Sequence, residues 1–172
     1  MRMNSAQVSM LVLWLFTANT GWPTLGTAQV ISDEAETARL RVKAEDAMGN
    51  DDPDGAALII GRAALMAARL AKTQDDVKAG VYKRWESLFR SQEHVYRAMA
   101  LFRRAGGQLP ASSGVCGSLA LAHVTLRHAI ESTGSGSESR PLRLAGDLAG
   151  LQESTDTWQT VIESLVIEYQ CT

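Results

Sequence analysis

Apolar side chains recur along this chain at the three- and four-residue steps of an α-helix, and polar breaks rich in Gly, Pro, Ser and Asp separate the runs. The most regular run is Val77, Val81, Trp85, Leu88, Val95, Met99 and Phe102, with Gln92 at the vacant step. It holds one face for about seven turns. Arg103-Arg104 and then Gly106-Gly107 end it. Cations suit the negative end of the helix dipole, and glycine accepts the left-handed conformation that closes a helix.

Ahead of this helix, Asn50-Asp51-Asp52-Pro53-Asp54-Gly55 interrupts the periodicity. Asp52 suits an N-cap, and Pro53 suits the first helical position, where its missing N–H has no intrahelical partner to lose. The helix that follows, from Ala56 to Ala71, is apolar around most of its circumference and is expected to be the most buried. Its alanines and Gly61 allow neighbours to come close. A first helix is expected from an Asp33 N-cap, with Glu36 in the reciprocal capping position, to Gly49. Beyond the loop Pro110–Gly114, the stripe Val115, Leu119, Ala122, Leu126 and Ile130 predicts another helix. Glu131 to Ser137 reads as a polar Gly/Ser linker. A short helix from Pro141, weakened by Gly146 and Gly150, then precedes a last one starting near Asp156, with Trp158, Val161, Ile162, Leu165, Val166 and Tyr169 on its buried side.

No segment alternates as a half-buried strand does. The expected fold class is therefore all-α, a compact multi-helix bundle with four substantial helices and one or two shorter ones. An α-solenoid-like helical hairpin arrangement is the alternative, although no second copy of the Ala56–Arg104 hairpin follows at a fixed period.

The N-terminus has a different pattern. Arg2 is the only charge before Asp33, and the apolar run Val8–Phe16 follows it. Gly21 and Pro23 interrupt the run, and Gly26-Thr27-Ala28 has the small residues that a signal peptidase accepts. Residues 1–28 are read as a signal peptide and 29–172 as a single helical domain, exported to the periplasm or the extracellular space. The run is too short to serve as a transmembrane anchor. Two cysteines, Cys116 and Cys171, survive such a cleavage and form an expected disulfide that ties the last helix to an earlier one.

Composition changes this picture little. With 172 residues, 45% hydrophobic and 21% charged, the chain is an ordinary globular domain rather than a disordered one. A net charge of −2 gives no global attraction to nucleic acid or an anionic membrane, so neither is an expected partner.

Candidate chemistry is sparse. Asn50, Asp52, Asp54 and Gly55 overlap the start of an EF-hand loop, but Pro53 intrudes and Gly61 stands where the bidentate acid belongs. His94, His123 and His128 lack the three- or four-residue spacing that puts two ligands on one helix face, and no HExxH or cysteine–histidine cluster is present. GxSxG and GxxxxGK[ST] are also absent, and no cofactor is implied. Glu86 and Glu93 share a helix face, as exposed glutamates commonly do.

Two residue sets suggest contacts instead. Tyr82, Trp85, Tyr96, Trp158 and Tyr169 are candidates to line a groove between helices. Lys78, Lys83, Arg84, Arg90 and Arg97, with Arg103 and Arg104, make the long helix locally basic on its solvent side, for an acidic partner or simply for solvation. The expected function is that of an exported helical accessory or adaptor acting through protein–protein contacts. The rivals are an extracytoplasmic enzyme whose site gathers dispersed His and acidic residues, and a metal-binding helical bundle.

Overall fold

Two aspartates set the helix starts in the first half of the chain. Asp52 caps α2 by accepting a hydrogen bond from the Gly55 amide at 2.9 Å, with Pro53 in the first turn, and Asp75 caps α3 by accepting from the Lys78 amide at 3.0 Å. The computed structural model describes residues 25–131 and 142–171, which form five helices: α1 (Leu25–Gly49), α2 (Pro53–Thr73), α3 (Asp76–Arg104), α4 (Ser113–Glu131) and α5 (Leu142–Glu168). No strand occurs among these residues. The apolar run at residues 8–16 and the Gly/Ser linker lie outside them.

Three helices end on a left-handed residue. After α3 the Gly107 amide reaches Phe102 O and the Gly106 amide reaches Arg103 O, with Gly106 at φ 74°. This is the Schellman pattern, which satisfies carbonyls that a helix end leaves unpaired. The same pair of bonds closes α1 around Asp51 (φ 56°) and α5 around Gln170 (φ 54°), although neither residue is glycine.

Each helix packs on its neighbour in sequence, and α3 also meets α5. The result is a compact all-α five-helix bundle. The α3 stripe largely faces inward: Leu88 and Val95 are fully buried, and Gln92 is buried between them. The α4 stripe is equally well predicted, with Val115, Leu119, Ala122 and Leu126 all buried. Ser91 donates to Ala122 O at 2.8 Å across the α3–α4 contact, so a buried hydroxyl there has its partner.

Two boundaries differ from the sequence reading. α1 already runs from Leu25, so Asp33 is a buried interior residue rather than a cap, and Arg69 of α2 approaches its carboxylate at 3.8 Å. Gly26-Thr27-Ala28 fall within the first turns of α1. α5 is one continuous helix, because packing of Leu151 and the half-buried Leu148 outweighs a glycine penalty of about 1 kcal/mol. Asp156 then lies mid-helix and accepts from Gln152 at 2.9 Å.

α2 is also less enclosed than expected. Ala56, Ala57, Ala63, Ala64 and Ala67 are buried, but Leu58 and Leu65 are 61% and 59% exposed. Where α2 meets α3, Gly61 lies against the buried Glu93 carboxylate, which pairs with Arg90 at 2.8 Å and Arg97 at 2.5 Å. At the far end, Arg104 Nη1 donates to both carboxylate oxygens of Asp54 at 2.5 and 2.6 Å, joining the α3 C-terminus to the α2 N-terminus.

The predicted disulfide is present. Cys116 and Cys171 are bonded with their Cα atoms 5.3 Å apart, across a sequence separation of 55. Beside it Phe102 stacks on Tyr169 at 4.0 Å, and the Ala111 amide donates to Tyr169 O at 2.9 Å. The end of α5 is thus tied to α3, to the α3–α4 loop and to the start of α4.

Two stability experiments follow from this packing. A Cβ at Gly61 would sit 3.1–3.2 Å from the Glu93 carboxyl group, which two arginines hold in place, whereas one at Gly80 meets nothing within 4 Å. Gly80→Ala should stabilise by about 1 kcal/mol through helix propensity alone. Gly61→Ala should instead destabilise by about 1 kcal/mol, overpacking outweighing the same gain; urea unfolding giving both changes the same sign would refute the close approach. Removing the disulfide as Cys116→Ser with Cys171→Ser should lower unfolding free energy by about 2–4 kcal/mol, mainly by freeing the unfolded chain. Helical circular dichroism at low temperature should persist.

Candidate functional site

α1 and α3 both pack on α2, but among the described residues their backbones do not approach each other. Between them lies a trough of about 600 Å³, open to solvent along one side. Lys78, Val81, Tyr82, Trp85 and Phe89 form the α3 wall, because steps of three and four place them on one face. Ala67 and Leu70 of α2 lie between the walls, and α1 supplies Glu34, Thr37, Ala38 and Arg41 opposite.

The α3 wall is aromatic. Trp85 and Phe89 have ring centroids 5.4 Å apart, tilted by 32°, and Tyr82 donates its hydroxyl to a Glu34 carboxylate oxygen across the trough. The rims are charged. Lys78 is exposed, and the Arg41 Nε is buried without a hydrogen-bond partner, its ion-pair distance to Glu45 being 3.7 Å. Such a trough offers apolar surface, aromatic edges and cationic donors together, which suits recognition of an amphipathic group.

The five aromatic candidates fall into three places. Tyr82 and Trp85 share the trough. Tyr96 is buried and meets the half-buried Trp158 edge-on at 5.6 Å, joining α3 to α5. Burial pushes the Tyr96 hydroxyl up to about 12, so it stays protonated across the physiological range. Tyr169 is buried on Phe102 beside the disulfide, and burial raises its hydroxyl as well.

The basic candidates also separate. Lys78 and Lys83 are exposed, but Arg84 is buried and does not belong to a solvent face. Arg90 and Arg97 converge on Glu93, so part of their charge is neutralised within the helix. Glu93 itself is buried against Gly61, not exposed like an ordinary surface glutamate. The seven-residue spacing missed this because only the α2 contact reveals which side of α3 is covered. Phe89 was not among the aromatic candidates either, although its place four residues after Trp85 and seven after Tyr82 was a signal that could have found it. Glu34 and Arg41 carried no local signal, since their place in the trough depends on how α1 lies on α2.

Among the described residues, no group of three His, Cys, Asp or Glu side chains is placed to hold a metal ion. His94 is half-buried on α3, His123 is half-buried on α4 and His128 is exposed. No described helix is long and apolar enough to cross a membrane.

Burial holds the His94 imidazole below its ordinary 6.5; Glu93 opposes that shift, and Arg97 and Arg90 reinforce it. Above pH 6.5 the group is neutral in both the folded and unfolded chains. Below it the unfolded chain takes the proton more readily, so stability falls as pH drops through the folded-state value. Urea midpoints measured from pH 7.5 down to 5 should decline, and His94→Asn should flatten that slope. An unchanged slope would remove His94 as its source.

No protein family, curated protein sequence or solved structure matches this chain.

Proposed function

We propose that this protein is an exported helical accessory or adaptor domain that holds a segment of a partner protein in the trough between α1 and α3. The observation that carries this reading is the aromatic trough itself, with Tyr82, Trp85 and Phe89 on one wall and Arg41 and Lys78 at the rims. Small-molecule pockets usually enclose most of their ligand. A trough open along one side covers one face of its occupant, as grooves that receive helices or peptides do. The Cys116–Cys171 bond supports an oxidising compartment and therefore export. The leader-like pattern of residues 1–28 points the same way.

Two measurements test the reading. Intact mass of protein purified from its native host, after alkylation with and without reductant, should show loss of residues 1–28 and no free thiol; an intact N-terminus with two alkylated cysteines would overturn export. A photo-cross-linking residue at position 78, on the trough rim, should capture a defined partner in that host. The same residue at position 124, on the exposed face of α4, should not. Tyr82→Ser should reduce the product from position 78 at least tenfold while circular dichroism stays unchanged. Equal capture from both positions, or indifference to Tyr82, would overturn the docking role.

A further inference from the structure

A second groove runs along the opposite flank of α1, between α1 and α2, with a volume of about 530 Å³. Arg39 and Lys43 of α1 and Arg62 and Arg69 of α2 line it, and Glu36 is its one acid among the described residues. A chain of net charge −2 has therefore gathered four cations on one concave surface. Arg39 is engaged by Glu36 at 2.5 Å, and Arg69 reaches Asp33 only at 3.8 Å. Lys43 and Arg62 make no ion pair among the described residues.

The groove is also apolar. Ile59 and Met66 are half-buried in it, and Leu65 is 59% exposed. Leu58, Arg62, Leu65 and Arg69 succeed each other at steps of four, three and four, so the open face of α2 alternates leucine with arginine. A solvated helix face has no need of large leucines, and a simple apolar contact has no need of a ring of cations.

We propose that this groove is a docking surface for an acidic amphipathic helix of a partner protein. Charge complementarity selects the acid: carboxylates on the occupant would meet Lys43 and Arg62, steering the encounter and fixing register. The floor selects the amphipathic form, because apolar side chains must reach Ile59 and Met66 while acids meet the rim. Concavity selects a rod over a plane. A flat anionic bilayer would meet the rim cations and leave the half-buried floor unfilled. Because α1 separates this groove from the aromatic trough, the domain has two distinct faces with which to bridge partners.

The test uses the protein as purified from its native host and three fluorescein-labelled helical peptides of equal length. One presents leucine at three- and four-residue steps flanked by glutamate; the others replace glutamate by glutamine or by lysine. The glutamate peptide should bind at least tenfold tighter than the glutamine peptide, and its affinity should fall as salt rises. Lys43→Glu with Arg62→Glu, both at exposed positions, should abolish that preference and favour the lysine peptide. Tyr82→Ser, in the other trough, should leave it intact. Equal affinity for the glutamate and glutamine peptides, no binding of the glutamate peptide, or a preference that survives charge reversal would each overturn the proposal. Co-flotation with phosphatidylglycerol vesicles that depends on Arg62, without peptide binding, would overturn it in favour of a lipid surface.

Discussion

The small side chains on α2 are the constraint from which the rest of the structure follows. Ala56, Ala57, Ala63, Ala64 and Ala67 are buried there with Gly61, and such residues cannot fill space by themselves. A face of alanine and glycine is buried only if its neighbours approach toward the lower limit of helix separation, about 8 Å. α1 and α3 both pack on this face of α2. Both are drawn onto one helix, so among the described residues their backbones straddle it, while Leu40 and Ala44 of α1 meet the cluster of Phe89 and Tyr96 through side chains. The aromatic trough and the basic groove are the spaces this arrangement leaves on either side of α1.

Glu93 shows how close the approach is. Its carboxylate occupies the place a side chain at Gly61 would take, and burying it there without partners would be costly. Arg90 and Arg97, one turn to either side on the same helix, supply the compensating charge while keeping solvent access. A charged triplet thus fits an interface whose apolar side is mostly alanine, with Ile60 and Leu70 as its large side chains. It also explains why a helix with many cations presents a less basic surface than its composition suggests.

The two ends of the domain are held differently. At the α5 end, a disulfide, a stacked aromatic pair and a backbone hydrogen bond converge within a few residues of Cys171. Among the described residues the α1 backbone approaches that of α2 alone, while its Leu40 and Ala44 join a core cluster with Phe89 and Tyr96 of α3 and the Tyr82–Glu34 bond reaches it from α3.

Periodicity and capping chemistry act within a few residues, and what they govern was legible. The α3 and α4 stripes, the Asp52–Pro53 start of α2 and the glycine stop of α3 follow from local sequence, and so does the all-α class. The cysteine pairing was legible for another reason: a two-cysteine chain has one intramolecular pairing. Local rules failed where distant packing overrode them. α5 continues through Gly150 because the core holds Leu151, and α1 and α5 stop on Asp51 and Gln170, whose left-handed backbones carry no glycine signal. The sequence by itself therefore determined which segments are helical and which residues are fit for contact. Only the tertiary structure decided which of those residues meet. Arg39 and Arg62, or Tyr82 and Glu34, lie far apart in the chain, and their encounter depends on the angle and depth at which one helix settles on another.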